Sequence, residues 1–163
     1  MSERAVLPDF ELPVTTPHQD GDPRGNQRFQ LSAFKGRPLV LYFYPKDDTP
    51  GCTAEGQQFR DLHGEFLKAK VPVFGISRDS VASHERFKKK MSFPFELISD
   101  PEEKACKIFD VMKMKKLYGR EYRGVDRSTF VIDRTGRIAK AWRGVKVPGH
   151  AQEVLDFVRT AEL

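Results

Sequence analysis

Apolar positions along the chain alternate between two rhythms. Three short runs are apolar almost throughout: Leu39-Val40-Leu41-Tyr42-Phe43-Tyr44, Val71-Pro72-Val73-Phe74-Gly75-Ile76-Ser77, and residues 95–99. They are too short for globular helices and rich in strand formers, so they read as strands, the first buried on both faces. Between them the spacing becomes helical. Phe59, Leu62, Phe66 and Leu67 recur at i, i+3, i+7 and i+8, predicting a helix to about Lys70. Val81, His84, Phe87 and Met91 predict a second helix, with Ser80 as its N-cap. Asp100 before Pro101 reads as N-cap and N1 of a third, running through Phe109. Lys113, Lys115 and Lys116 fall in an expected loop, and residues 119–124 in a turn-rich connection. Residues 128–132 and 138–142 predict two strands joined through Asp133-Arg134-Thr135-Gly136. A last helix starts near His150, with Ala151, Val154, Leu155 and Val158 at core spacing. Ahead of all this, residues 8–13 suit an edge strand or hairpin arm, residues 15–27 a surface turn region, and Phe29 and Leu31 a returning strand. Strands alternating with helices, then a hairpin and a helix, predict an α/β sandwich on a mixed sheet, one domain over residues 1–163.

One position in this pattern invites chemistry. Pro45 ends the first apolar run, since proline cannot donate to a ladder, and the polar turn Lys46-Asp47-Asp48-Thr49-Pro50-Gly51 leads into the first helix. Cys52 therefore lies in a helix's first turn, where backbone N–H groups lack partners and the dipole is positive. Both favour the thiolate, which is the nucleophile. Lowering a thiol pKa from about 8.5 to about 6 raises the thiolate at neutral pH roughly 30-fold, or about 2 kcal/mol. Any larger rate must come from donors that hold the reacting group. Thr49 supplies a hydroxyl and the turn supplies amides, but Lys46 is the one cation of the stretch.

Composition narrows the classes. The 163 residues suffice for a sizeable core, and no run approaches a membrane span. MSERAVLPDF has no apolar signal region, so the expected location is the cytoplasm. Two cysteines in a reducing compartment point to redox chemistry rather than a structural disulfide. His18, His63, His84 and His150 are scattered without ligand spacing, and no C-x-x-C or G-x-G-x-x-G occurs, so neither metal nor cofactor is expected. His84 reads as a packed helix residue. The net charge of +5 resides partly in Lys88-Lys89-Lys90, at a helix end where cations suit the dipole, and nucleic acid is not an expected partner.

Pro45, Thr49 and Cys52 spell P-x-x-x-T-x-x-C within YPKDDTPGCTAE. This resembles the active-site loop of the peroxiredoxins, especially the bacterioferritin-comigratory-protein (peroxiredoxin Q) branch. LPDFELP, GISRDSVASHERF, SDPEEKACKIFDV and RSTFVID resemble that branch in the same order, so the likeness spans nearly the whole chain. It implies a thioredoxin-like fold of peroxiredoxin type and a thiol peroxidase acting on hydrogen peroxide or organic hydroperoxides. It also implies recycling by thioredoxin, glutaredoxin or glutathione, and a monomer. Catalytic roles carry over to Cys52, Thr49, Pro45 and Arg127 of DRSTF, the cation missing from the loop. Glu55 matches a carboxylate that orients such an arginine; Tyr44 is a supporting residue and Arg143 a weaker candidate for support. The branch's resolving cysteine, five residues on or in the next helix, is replaced here by Gln57 and Lys88. Cys106 remains as either a packed thiol or a resolving one. A thiol–disulfide oxidoreductase would want a second cysteine at Glu55. A peroxide-modified binding module is the non-enzymatic alternative.

Overall fold

A computed structural model describes residues 5–17 and 27–163. The turn region expected over residues 15–27, and His18 with it, lies largely outside the described residues. The central sheet has the order β5-β4-β3-β8-β9. Its strands are β3 (Leu39–Phe43), β4 (Val73–Ser77), β5 (Glu96–Ser99), β8 (Ser128–Ile132) and β9 (Ile138–Trp142). β3, β4 and β5 run parallel, while β8 is antiparallel to both β3 and β9, giving the mixed sheet.

β3 is central and explains why its sequence is apolar without alternation. Leu39, Leu41 and Phe43 point into one core cluster and Val40 and Tyr42 into another, so both faces are covered. The first cluster holds the N-terminal hairpin of β1 (Glu11–Pro13) and β2 (Arg28–Gln30), and α3 (Lys104–Ile108). The second holds α1 (Pro50–Lys68), α2 (Val81–Met91) and α4 (His150–Thr160), with Phe59, Phe66, Phe87, Val154 and Leu155 buried against the sheet. Pro72 immediately precedes β4, where its missing N–H harms no ladder. Ser80 caps α2 by accepting from the Ser83 amide at 3.2 Å.

Two expectations need correction. The third helix does not start at Pro101. Asp100 to Glu103 closes a turn, Glu103 takes φ 63°, and α3 begins at Lys104. Buried Asp100 still caps it from outside, its two carboxylate oxygens accepting from the Lys104 and Cys106 amides at 2.7 and 2.8 Å. A carboxylate in this role needs no helix N1 beside it. The second correction is larger. Lys113, Lys115 and Lys116 are not in a loop but on β6 (Met112–Leu117), paired with β7 (Arg120–Val125). Tyr118 and Gly119, with φ 52° and 77°, form the two-residue turn of a hairpin. Lysines on both faces erase the period of two by which an exposed strand is read.

Candidate active site

The path from β3 to α1 builds the site. Tyr44 donates to Ile76 as the ladder ends, Pro45 turns the chain, and Thr49 takes the N-cap position with Pro50 at N1. The first intrahelical bond runs from Thr53 to the Thr49 carbonyl at 2.8 Å. The amides of Gly51 and Cys52 thus have no acceptor within the helix and remain as donors beside the thiol. Cys52 is buried, in the core cluster that also holds Tyr42, Tyr44 and Phe59.

Arg127, from the loop between β7 and β8, is brought to this point. Its Nη2 donates toward Cys52 Sγ at 3.5 Å, and its Nη1 to Glu55 Oε1 at 2.7 Å. Gly51 makes the approach possible, since a Cβ there would stand 3.0 Å from Arg127 Nη2. Glu55, one helical turn from Cys52, is 1% exposed and its Oε2 has no hydrogen-bond partner among the described residues. Burial pushes its carboxyl up to about 7, against the pull of the adjacent guanidinium. Cys52, Arg127 and Glu55 therefore form one contiguous group, as the resemblance implies.

Thr49 does something different from the expected donation to a bound peroxide. Its hydroxyl donates to the Lys46 carbonyl at 2.8 Å, which leaves Oγ1 with lone pairs and no free hydrogen. Tyr44 is directed to Asp47, donating to Oδ1 at 2.7 Å, and so supports the loop rather than the sulfur. Asp47 also accepts from Ser83 Oγ at 2.8 Å and pairs with His84 Nδ1 at 2.7 Å, while His84 Nε2 reaches the Ile98 carbonyl at 2.9 Å. His84 is packed, not exposed. Arg143 is engaged elsewhere, over the Phe130 ring and on the Asp110 carbonyl.

The second thiol is not brought to the first. Cys106 is fully buried in the cluster on the opposite face of the central sheet, where burial first and Asp100 second push its thiol far up. Gln57 is exposed on α1. Lys88 is tied to Glu96 Oε1 at 2.6 Å and to the Thr16 carbonyl at 2.5 Å.

Three features escaped the sequence reading. Asp47, Asp79 and His84 place ligand-type atoms within 4.8 Å of one another. They are already joined by hydrogen bonds, Asp79 Oδ2 accepting from the Asp47 amide and Ser77 Oγ, so the cluster is accounted for without an ion. His150 pairs with Thr129 Oγ1 at 2.7 Å, and burial lowers its imidazole to about 4, with Arg127 pushing the same way. Lys115 reaches from β6 to the Val125 carbonyl beside Arg127. All three arise from packing between distant segments, for which local spacing carries no signal.

Residues 4–141 match the AhpC/TSA family. Peroxiredoxin Bcp of Bacillus subtilis is 49% identical over 152 residues, covering 93% of this chain and 91% of the relative. Peroxiredoxin Bcp of Xanthomonas campestris is 48% identical over 146 residues, covering 90% and 91%. A structure of Xanthomonas campestris peroxiredoxin Q superposes with TM-score 0.84 at 42% identity over 97% of this chain and 98% of that one. A structure of the bacterioferritin comigratory protein of the same organism, bearing on its alkyl peroxide reduction activity, gives TM-score 0.81 at 44% identity over 92% and 90%. With the thioredoxin-like sheet, the helix-capped thiol and its arginine in place, the chain belongs to the AhpC/TSA peroxiredoxins, in the Bcp/peroxiredoxin Q branch.

Proposed function

We propose that the protein is a thiol peroxidase that reduces hydrogen peroxide and alkyl hydroperoxides through Cys52. The observation that carries this reading is the Arg127 guanidinium at 3.5 Å from a buried helix-N-terminal sulfur, itself held by Glu55. The positive charge favours the thiolate, and the fork of donors gives a peroxide oxygen a fixed seat. Thr49 Oγ1, its hydrogen committed to Lys46, accepts from the hydroperoxide O–H and orients it. Pro45 shapes the turn that presents these groups.

In the reaction, the Cys52 sulfur attacks the nearer peroxide oxygen as the O–O bond breaks. The leaving oxygen takes the electron pair and a proton, giving water or an alcohol, and Cys52 becomes a sulfenic acid. The Gly51 and Cys52 amides and Arg127 face the charge that develops on the oxygens. An external thiol then attacks the sulfenic acid sulfur, releasing water and forming a mixed disulfide, and a second thiol displaces Cys52 from it. Thioredoxin, glutaredoxin or glutathione supplies these electrons to a monomeric enzyme in a reducing compartment. Burial of Cys106 on the other face and the Lys88 ion pair favour this external route.

Stopped-flow mixing with hydrogen peroxide and with an alkyl hydroperoxide tests the reading. Consumption far faster than by free cysteine, abolished in Cys52→Ser, is expected. A rate like that of free cysteine would overturn it. An insulin-reduction assay separates the oxidoreductase alternative, disfavoured by Glu55 standing where its second cysteine belongs.

A further inference from the structure

Lys115 stands apart from the other lysines of its hairpin. Lys113 and Lys116 are exposed, whereas the Lys115 stem lies across Gly124, its Cδ and Cε 3.5 and 3.6 Å from where a Cβ on that glycine would be. The stem crosses unobstructed, and Nζ donates to the Val125 carbonyl at 2.5 Å. Val125 is two residues before Arg127. Besides the Arg127–Glu55 ion pair, this short loop is held by uncharged donors: the Asp126 amide on Val111, Ser128 Oγ on the Asp126 carbonyl, and the Gly144 and Val145 amides on Asp126 Oδ2 and the Arg127 carbonyl. Lys115 is the charged member of the set. Its half-buried ammonium interacts electrostatically with Asp126, Arg127 and Cys52.

We propose that Lys115 is a positioning residue of the peroxidase site, a cation that fixes the Arg127 loop through the Val125 carbonyl and so holds the guanidinium at the Cys52 sulfur. This rests on the peroxidase reading above and deepens it. Among the described residues, Arg127 from the β7–β8 loop donates toward Cys52 Sγ and is held by Glu55 of α1, while Lys115 of β6 and Tyr42 of β3 interact electrostatically with the sulfur and Asp126 with Lys115. Arg127 is divided between a carboxylate and the sulfur. Lys115, on the Val125 carbonyl two residues before Arg127, fixes the backbone from which the guanidinium reaches both.

The test is the pH profile of Cys52 alkylation by iodoacetamide, with the modified site located by mass spectrometry, in wild type, Lys115→Met, Lys115→Gln and Lys115→Arg. At the wild-type midpoint pH, loss of this cationic anchor, with the Arg127 guanidinium less firmly held at the sulfur, is expected to slow alkylation about two- to fivefold in Met and Gln. Arginine should restore the wild-type profile. The hydrogen peroxide rate constant should fall in the same order. An unchanged profile in both neutral variants overturns the proposal. So does an equal shift in Lys115→Arg, which would assign the effect to packing rather than charge. Alkylation reads the thiol without peroxide, so a wild type that reacts slowly with peroxide sinks the peroxidase reading and leaves this measurement to decide Lys115 separately.

Discussion

Glu55 has lost solvent on both carboxylate oxygens and gained one partner, and this asymmetry controls how it behaves with pH. Its folded-state pKa of about 7 lies above the ordinary 4.5, so the native state keeps a proton that the unfolded chain releases. Stability from this group is therefore full below about 4.5 and is lost as pH rises through about 7, by about 3 kcal/mol in all. His150 acts in the opposite sense. Its pKa of about 4 lies below the ordinary 6.5, so the unfolded state binds the extra proton and stability rises between those values. The wild-type curve hides both slopes, and a variant separates them. Relative to wild type, Glu55→Gln should gain stability in urea unfolding as pH rises from about 4.5 to 7. Parallel curves would show that Glu55 is ionised throughout. At this scale the place of Cys52 in a helix's first turn was legible from the strand–turn–helix pattern, and its role is what the P-x-x-x-T-x-x-C resemblance implies. Arg127 and Glu55 were legible only through the family pattern, because 72 residues separate them along the chain.

Between elements, the loop bearing the thiol is fastened to α2 by Asp47. It accepts from Tyr44 at one end of the loop and from Ser83 and His84 of the helix. Both His84 ring nitrogens face oxygens, and a carbonyl cannot donate, so Nε2 donates its hydrogen to the Ile98 carbonyl while Nδ1 lies 2.7 Å from Asp47 Oδ2. Removing the imidazole leaves the buried Asp47 to the Tyr44 and Ser83 hydroxyls and takes the donor from the Ile98 carbonyl. His84→Leu is therefore expected to lose about 2–4 kcal/mol in denaturant unfolding. A loss below about 1 kcal/mol would mean that Asp47 takes its proton from elsewhere. The helical spacing of Val81, His84, Phe87 and Met91 placed this histidine inward, and all four are buried. That spacing could not say what it meets, since Asp47 is 37 residues away. The β6–β7 hairpin was illegible for a different reason. It is stabilised by its ladder and its Tyr118-Gly119 turn rather than by an apolar face, so its lysines carry no strand pattern. The buried strands β3, β4 and β8 were readable because two-sided burial demands continuous apolar runs.

Taken as a whole, the molecule separates its two thiols by its own central layer. Cys52 lies among α1, α2 and α4 on one face, and Cys106 among α3 and the N-terminal hairpin on the other. A disulfide needs Cα atoms within about 7 Å, so a bridge would require one covering layer to leave the sheet. For α3 that means exposing the cluster of Phe109, Val111 and Phe130 and breaking both Asp100 caps. One equivalent of hydrogen peroxide without reductant should therefore add a single oxygen to Cys52 in intact-mass and peptide mass spectra, with Cys106 still a free thiol. Cys106→Ser should turn over within about twofold of wild type with the same external reductant, because no step of the external route proposed above passes through it. It should also unfold about 1–3 kcal/mol more easily, since a hydroxyl replaces a thiol in an apolar site. A Cys52–Cys106 disulfide in the wild type, or turnover lost in Cys106→Ser while the first peroxide reaction stays fast, would show that α3 detaches during the cycle. The sulfenate would then be resolved within the chain.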